Sequence, residues 1–212
     1  VADTAPSVVR GAPLSDARSR PAQTRADAPP TAEIAEAEWI SAARELLITE
    51  GVAAIKVDRL ARRLGVTRGG FYWRFAGLPA LLEAVLADWR DTNSVAVLAA
   101  LEGPGSPRQR FQDLMRVWIE EAGYSPAYDT AVREWGRTDP AVAAVVTEVD
   151  ERRLAAFERL FRDAGYRPRE ALVRARITYY HQVGYYALGV QEAREQRWAL
   201  GATYRRILTG WD

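Results

Sequence analysis

Between Lys56 and Arg74 lie six basic side chains, Lys56, Arg59, Arg62, Arg63, Arg68 and Arg74, against one acid, Asp58. Cationic groups at that density neutralise phosphates, and arginine also reads base edges. The other account of the same charges is that they solvate the outer faces of two short helices. Further chemistry is poorly provided for. The 212 residues contain no cysteine and a single histidine, His181. Disulfides and thiolate metal sites are thereby excluded, and a histidine zinc site or a Ser-His triad is not expected. The acid pairs Glu120-Glu121 and Asp150-Glu151 are charged helix faces before they are acid–base pairs. No nucleophile, metal or phosphate-loop motif has diagnostic spacing, so no catalytic residue, metal ligand or cofactor is implied.

The basic cluster is carried by KVDRLARRLGVTRGGFYWRF, residues 56–75. Leu60, Ala61 and Leu64 share one face of a helix expected over Val57–Leu64. Gly65 stands where a helix ends in a left-handed residue, which glycine adopts at least cost. Val66 plugs the turn. Thr67 is placed to cap a second helix, Arg68–Arg74, whose inner side carries Phe71 and Phe75 at i, i+4. Ala61, four residues before the glycine, lets the two helices approach closely. This spacing is that of a helix-turn-helix and predicts a DNA-binding regulator.

The flanks set this motif in a larger chain. Net charge is +1, so the basic stretch is a local feature; the preceding segment carries Glu33, Glu36, Glu38, Glu45 and Glu50 against Arg44. Residues 1–30 are rich in Ala, Pro, Ser, Asp and Arg and poor in large apolar side chains, which predicts a flexible tail. It is either inert or an arm reaching a minor groove through Arg10, Arg18, Arg20 and Arg25. From a cap at Thr31, residues Ile34, Ala35, Trp39, Ala42, Ala43, Leu46 and Leu47 form one helical stripe that ends at Gly51. Ile55 then plugs the small core. Pro79 opens a helix expected to run from Leu78 to about Leu101, before the Gly103-Pro104-Gly105-Ser106-Pro107 breaker.

Helices are expected thereafter over Arg108–Ala122, Tyr128–Trp135, Pro140 to Ala164, Pro168 to about Leu188, and Glu192–Leu208. No segment alternates apolar and polar residues as a strand would. The expected fold is all-α: an N-terminal three-helix DNA-binding unit joined to a C-terminal antiparallel helical bundle. Residues 1–30 are the tail, 31–88 the DNA-binding domain and 89–212 the ligand-binding and dimerisation domain. No run of eighteen apolar residues offers a membrane span, and the sequence suits a cytoplasmic protein.

Trp39–Trp89 resembles the TetR/AcrR family of transcriptional regulators, through AARELLITEG, LARRLGVTRGGFYWRF and PALLEAVL. The resemblance implies a homodimeric repressor that a small molecule releases from operator DNA. Carried over by position, Arg68, Gly69 and Gly70 open the recognition helix and face base edges, with Arg68 pairing to guanine O6 and N7. Tyr72 and Arg74 match phosphate-contacting positions, and Thr67 adds a further phosphate contact. Trp73 either reaches a thymine methyl or sugar edge, or packs against the first motif helix. Two departures stand out. Lys56-Val57 replaces the usual hydroxyl residue opening the first motif helix, and lysine there can reach a phosphate. The usual lysine after the second phenylalanine is replaced by Leu78 beside Pro79. A helical ligand-binding or adaptor protein that has lost DNA binding is the second reading.

Aromatic residues crowd the remaining helices. Phe111, Met115, Trp118, Tyr128, Trp135, Tyr180, His181 and Tyr185 either line an interhelical pocket for an apolar or aromatic effector or fill an ordinary core. Gly184, Ala187 and Gly189, with the apolar stripe Leu200, Tyr204, Ile207 and Leu208, assign dimerisation to the last two helices. Two-fold symmetry would set two recognition helices about 34–36 Å apart.

Overall fold

The structure, a computed structural model, describes residues 35–211; the tail, Thr31, Glu33 and Ile34 lie outside them. Among the described residues there are only helices and turns. Helix α1 (Glu36–Glu50) starts at Ala35, whose N–H donates to the Glu38 carboxylate at 2.9 Å. The acids Glu36 and Glu38 stand in its first turn, where the helix dipole favours them. Gly51, at φ +82°, ends it, and a short 3-10 turn (Val52–Ala54) leads to α2 (Val57–Arg63). Gly65, at φ +68°, turns the chain into α3 (Arg68–Arg74), and α4 (Leu78–Thr92) follows with Pro79 in its first turn.

The helix expected to reach Leu101 is instead two, α4 and α5 (Val95–Glu102), interrupted at Asn93-Ser94. The cause is polar. The Asn93 amide donates to Ser125 O at 3.2 Å and its Oδ1 accepts from Ser125 N at 2.7 Å. The Asn93 carbonyl accepts from Arg153 Nη2 at 3.1 Å, and Ser94 Oγ accepts from Arg153 Nε at 3.0 Å. These partners gather at the junction, where Asn93 N–H still donates to Trp89 O and Ser94 O still accepts from Leu98 N, both at 2.9 Å.

Four helices then open in succession on proline: α6 (Pro107–Glu120), α7 (Pro126–Gly136), α8 (Pro140–Asp163) and α9 (Pro168–Ala187). Proline at a first helical position forfeits no hydrogen bond and arrives with the right φ. Ser106, Ser125 and Asp139 cap the first three of these through their side-chain oxygens. The last helix, α10 (Arg194–Thr209), ends at Gly210.

Two apolar clusters fill the interior. The first gathers Trp39, Leu47, Leu60, Phe71, Phe75, Leu81, Val85 and Trp89 from α1–α4 with Tyr128, Val132 and Trp135 of α7. Trp39 meets Phe71 edge-on at 5.4 Å, and Phe71 stacks on Phe75 at the same separation. Helices α2 and α3, seven residues each, are too short to stand alone, so this burial is what holds them. The second cluster centres on Phe111, Leu114, Trp118, Phe157, Leu160, Phe161 and Tyr179.

Between the clusters lies a buried polar network. Arg153, only 1% exposed, donates to Asp129 Oδ1 at 2.9 Å and stands 5.7 Å from the Trp89 ring centre. Arg133 Nε reaches Asp129 Oδ2 at 2.7 Å, while its Nη groups bind Asp150 at 2.8 and 2.6 Å. Tyr179 donates to Asp150 at 2.6 Å. Burial works against the Asp129 carboxylate, but Arg153 and Arg133 outweigh it and hold its pKa below the ordinary value. Removing one partner strands a buried charge, so Asp129→Ala is expected to cost about 3–5 kcal/mol in urea unfolding. Because the folded-state pKa is lowered, the stabilisation from Asp129 is complete above the unfolded carboxylate pKa. It is lost as pH falls through the folded value. The wild type is therefore expected to lose stability steeply below about pH 4, and Asp129→Asn to lack that component.

Candidate nucleic-acid interface

Helix α3 is divided lengthwise. Phe71 and Phe75 point into the core, whereas Tyr72 and Trp73 face solvent, Trp73 at 89% exposure. Trp73 therefore does not pack against the first motif helix. Lys56 before α2, Arg62 on α2, and Arg68 and Arg74 on α3 are exposed as well. Thr67 occupies the N-cap position of α3, but its side chain makes no capping hydrogen bond, contrary to the capping role expected of it. Lys56 holds the corresponding place before α2, also without a side-chain cap.

Two of the basic residues are clipped to α1 while still open to water. Arg59 binds Glu50 through two hydrogen bonds of 2.9 and 2.6 Å, and Arg63 pairs with Glu45. The acids of α1 thus take up two of the six cations and tie α2 to α1. Hydrogen bonding from Arg59 lowers the Glu50 pKa, although the pair is open to water and adds little stability. Arg68 Nε lies 2.9 Å from Asp58 Oδ1. These pairings escaped the sequence reading. The acidic run was visible, but its partners lie nine and eighteen residues away across the turn.

Gly69 and Gly70 have ordinary helical backbone angles. An added Cβ would come no closer than 3.6 Å to Thr67 Oγ1 at position 69, and 4.0 Å to Trp39 at position 70. The fold itself does not require glycine at either place.

The aromatic set is dispersed. Met115, Trp118, His181 and Tyr185 line one cavity of about 40 Å³ between α6, α9 and α10, with Gln182, Arg197 and Tyr204. The Gln182 amide nitrogen is buried there without a hydrogen-bond partner. His181 stacks near Tyr204 at 5.1 Å, and burial lowers its pKa. Arg197 donates to Trp118 O at 2.8 Å and to the Tyr186 hydroxyl at 3.2 Å. Trp135 and Tyr185 border a wider cleft of about 850 Å³ between the end of α1, α7 and residues 189–192. Phe111 lies in the core against Trp211, Tyr128 donates to Val85 O at 2.6 Å, and Tyr180 is exposed on α9. Gln182 and Arg197 had drawn no attention in the sequence, where nothing distinguishes them from surface polar residues.

Val173, Ile177, Tyr180 and Leu188 are exposed along α9, and Trp198 and Ile207 along α10; Leu208 instead turns into the core. An added Cβ at Gly184 meets nothing within 4 Å. Among the described residues, no helix is long and apolar enough to cross a membrane.

Residues 40–85 match the family described as bacterial regulatory proteins, tetR family. The HTH-type transcriptional regulator SrpR of Pseudomonas putida is 48% identical over 48 residues, 23% of this chain and 22% of that protein. The match thus spans about a fifth of that relative's length. Among solved structures, a TetR-family transcriptional regulator from Streptomyces coelicolor has a TM-score of 0.66 at 20% identity, covering 82% of this chain and 92% of that one. The ketosteroid transcriptional regulator KstR2 of Mycobacterium tuberculosis has a TM-score of 0.61 at 17% identity, covering 82% and 93%. At these identities the structural likeness shows the fold. The likeness to the tetR family of bacterial regulatory proteins thus lies in the helix-turn-helix segment and its flanks, residues 40–85.

Since neither sterics nor backbone angle demands glycine at position 70, Gly70→Ala is expected to raise unfolding stability by about 1 kcal/mol in chemical denaturation.

Proposed function

We propose that the protein is a homodimeric, sequence-specific transcriptional repressor that a small-molecule effector releases from operator DNA. The observation that carries this reading is α3, whose outer face presents Arg68, Tyr72, Trp73 and Arg74 on a helix fixed by its inner face. Arg68 reads a guanine edge, and Gly69 and Gly70 let the backbone approach the duplex. Lys56, Thr67, Tyr72 and Arg74 contact phosphates, and Trp73 reaches a thymine methyl or the sugar edge. Residues 31–88 form the DNA-binding domain and residues 89–212 the ligand-binding and dimerisation domain. The protein acts in the cytoplasm and by binding, without catalysis.

The second copy docks on α9 and α10. The exposed apolar residues Val173, Ile177 and Tyr180 recur at helical spacing, and Gly184 continues the row with room for close approach. The effector site is the cavity at Met115, Trp118, His181 and Tyr185. At about 40 Å³ the cavity admits an aromatic body only if α10 shifts, and the unpaired Gln182 amide then offers a donor to one acceptor oxygen.

Light scattering is expected to give the mass of a dimer; a monomer at micromolar concentration would remove the two-fold argument. Binding to a fragment of the protein's own promoter region is expected to fall steeply with salt, as phosphate contacts require. Arg68→Ala is expected to relax preference at one base position by about 1–3 kcal/mol, and Gly70→Ala to weaken binding despite its added stability. Random-site selection with no preferred sequence would return the chain to the reading as a ligand-binding protein without DNA recognition.

A further inference from the structure

Asp58 is the one acid within residues 56–75, and it stands on the surface proposed to meet a polyanion. A carboxylate there repels phosphate, and its exposed ion pair adds little to stability. Its geometry offers a better account. Asp58 Oδ1 lies 2.9 Å from Arg68 Nε, with the side chains 62% and 63% exposed. An Nε facing Asp58 leaves the terminal edge of the guanidinium for another partner. The two parallel N–H groups of that edge match guanine O6 and N7.

The first turn of α3 supplies little else to fix the arginine. Gly69 and Gly70 have no side chain to pack along its stem. A long side chain left to itself would be ordered only on binding, at an entropic cost. The same carboxylate also discriminates. If Arg68 leaves it for a phosphate, Asp58 remains unpaired against the duplex, so the wrong register is penalised as well as the right one favoured.

We infer that Asp58 is the positioning residue for base reading by Arg68, holding its terminal edge toward a guanine and penalising sites that lack one. The inference rests on the proposal that α3 reads DNA.

The test uses the full chain, a selected high-affinity duplex, a set of single-base variants of it, and an unrelated duplex. Asp58→Ala is expected to cut discrimination at the one position that Arg68→Ala also relaxes by about tenfold, and to raise affinity for the unrelated duplex about threefold. Asp58→Asn keeps an acceptor and drops the charge. It is expected to recover part of the discrimination while keeping the raised unspecific affinity. In the Arg68→Ala background, Asp58→Ala is expected to change discrimination no further. Because Asp58 is exposed and its main structural role is that of an acid in the first turn of α2, all variants are expected to melt within a few degrees of the wild type.

Discrimination unchanged in Asp58→Ala, or lowered equally at every position, would overturn the inference while leaving α3 as the reading helix. A wild type without any sequence preference would overturn both.

Discussion

A guanidinium sealed from water is the constraint around which the helical body is arranged. Removing Arg153 from solvent carries a penalty of several kcal/mol unless its donors are all met. Each of its three nitrogens has a partner, among Ser94 Oγ, the Asn93 carbonyl and Asp129, with the Tyr179 hydroxyl at 3.4 Å. Burial opposes its charge, yet Asp129 and the neighbouring tyrosines raise its pKa, so it stays cationic. These partners come from three separate places in the chain. The interruption between α4 and α5, the start of α7 and the middle of α9 are therefore all tied to one atom group on α8.

Helix α7 stands at the centre of this arrangement because its two sides do different things. Asp129 and Arg133 enter the polar network, while Tyr128, Val132 and Trp135 pack into the core that holds the helix-turn-helix. The Tyr128 hydroxyl also binds the Val85 carbonyl and the Asp88 carboxylate of α4. A displacement of α7 has to disturb charged partners on one side and the support of α1 on the other. The wide cleft lined by Trp135 lies along the same helix.

The helix-turn-helix was legible in the sequence because its signals are local. Glycine at 65, threonine at 67 and the Phe71–Phe75 pair fix the bounds of α3, found at Arg68–Arg74. Proline marked the starts of α6 through α9 within two residues for the same reason. What escaped depends on distant partners. Asn93 and Ser94 look like ordinary helix residues until Arg153, sixty positions away, accounts for the break. Arg153 itself sits in a charged run, Asp150-Glu151-Arg152-Arg153, in which nothing marks the one member that goes inside. Gln182 and Arg197 were hidden likewise, since only the packing of α6 against α9 and α10 makes them neighbours of Trp118. The clips from Glu45 and Glu50 to α2 changed the account of charge most. A patch counted as six cations loses two of them to α1.

The lengthwise division of α3 has an evolutionary consequence. Phe71 on its inner side meets Trp39 and stacks on Phe75, and neither phenylalanine can vary without loosening the motif. Positions 68 and 73 contribute almost nothing to that core, and Tyr72 touches it only edge-on at Phe71. Mutations there are close to neutral for folding, so a population can explore them at little risk to the scaffold. A duplicated copy of such a gene can drift toward a new target through a few outward substitutions while the fold is inherited unchanged.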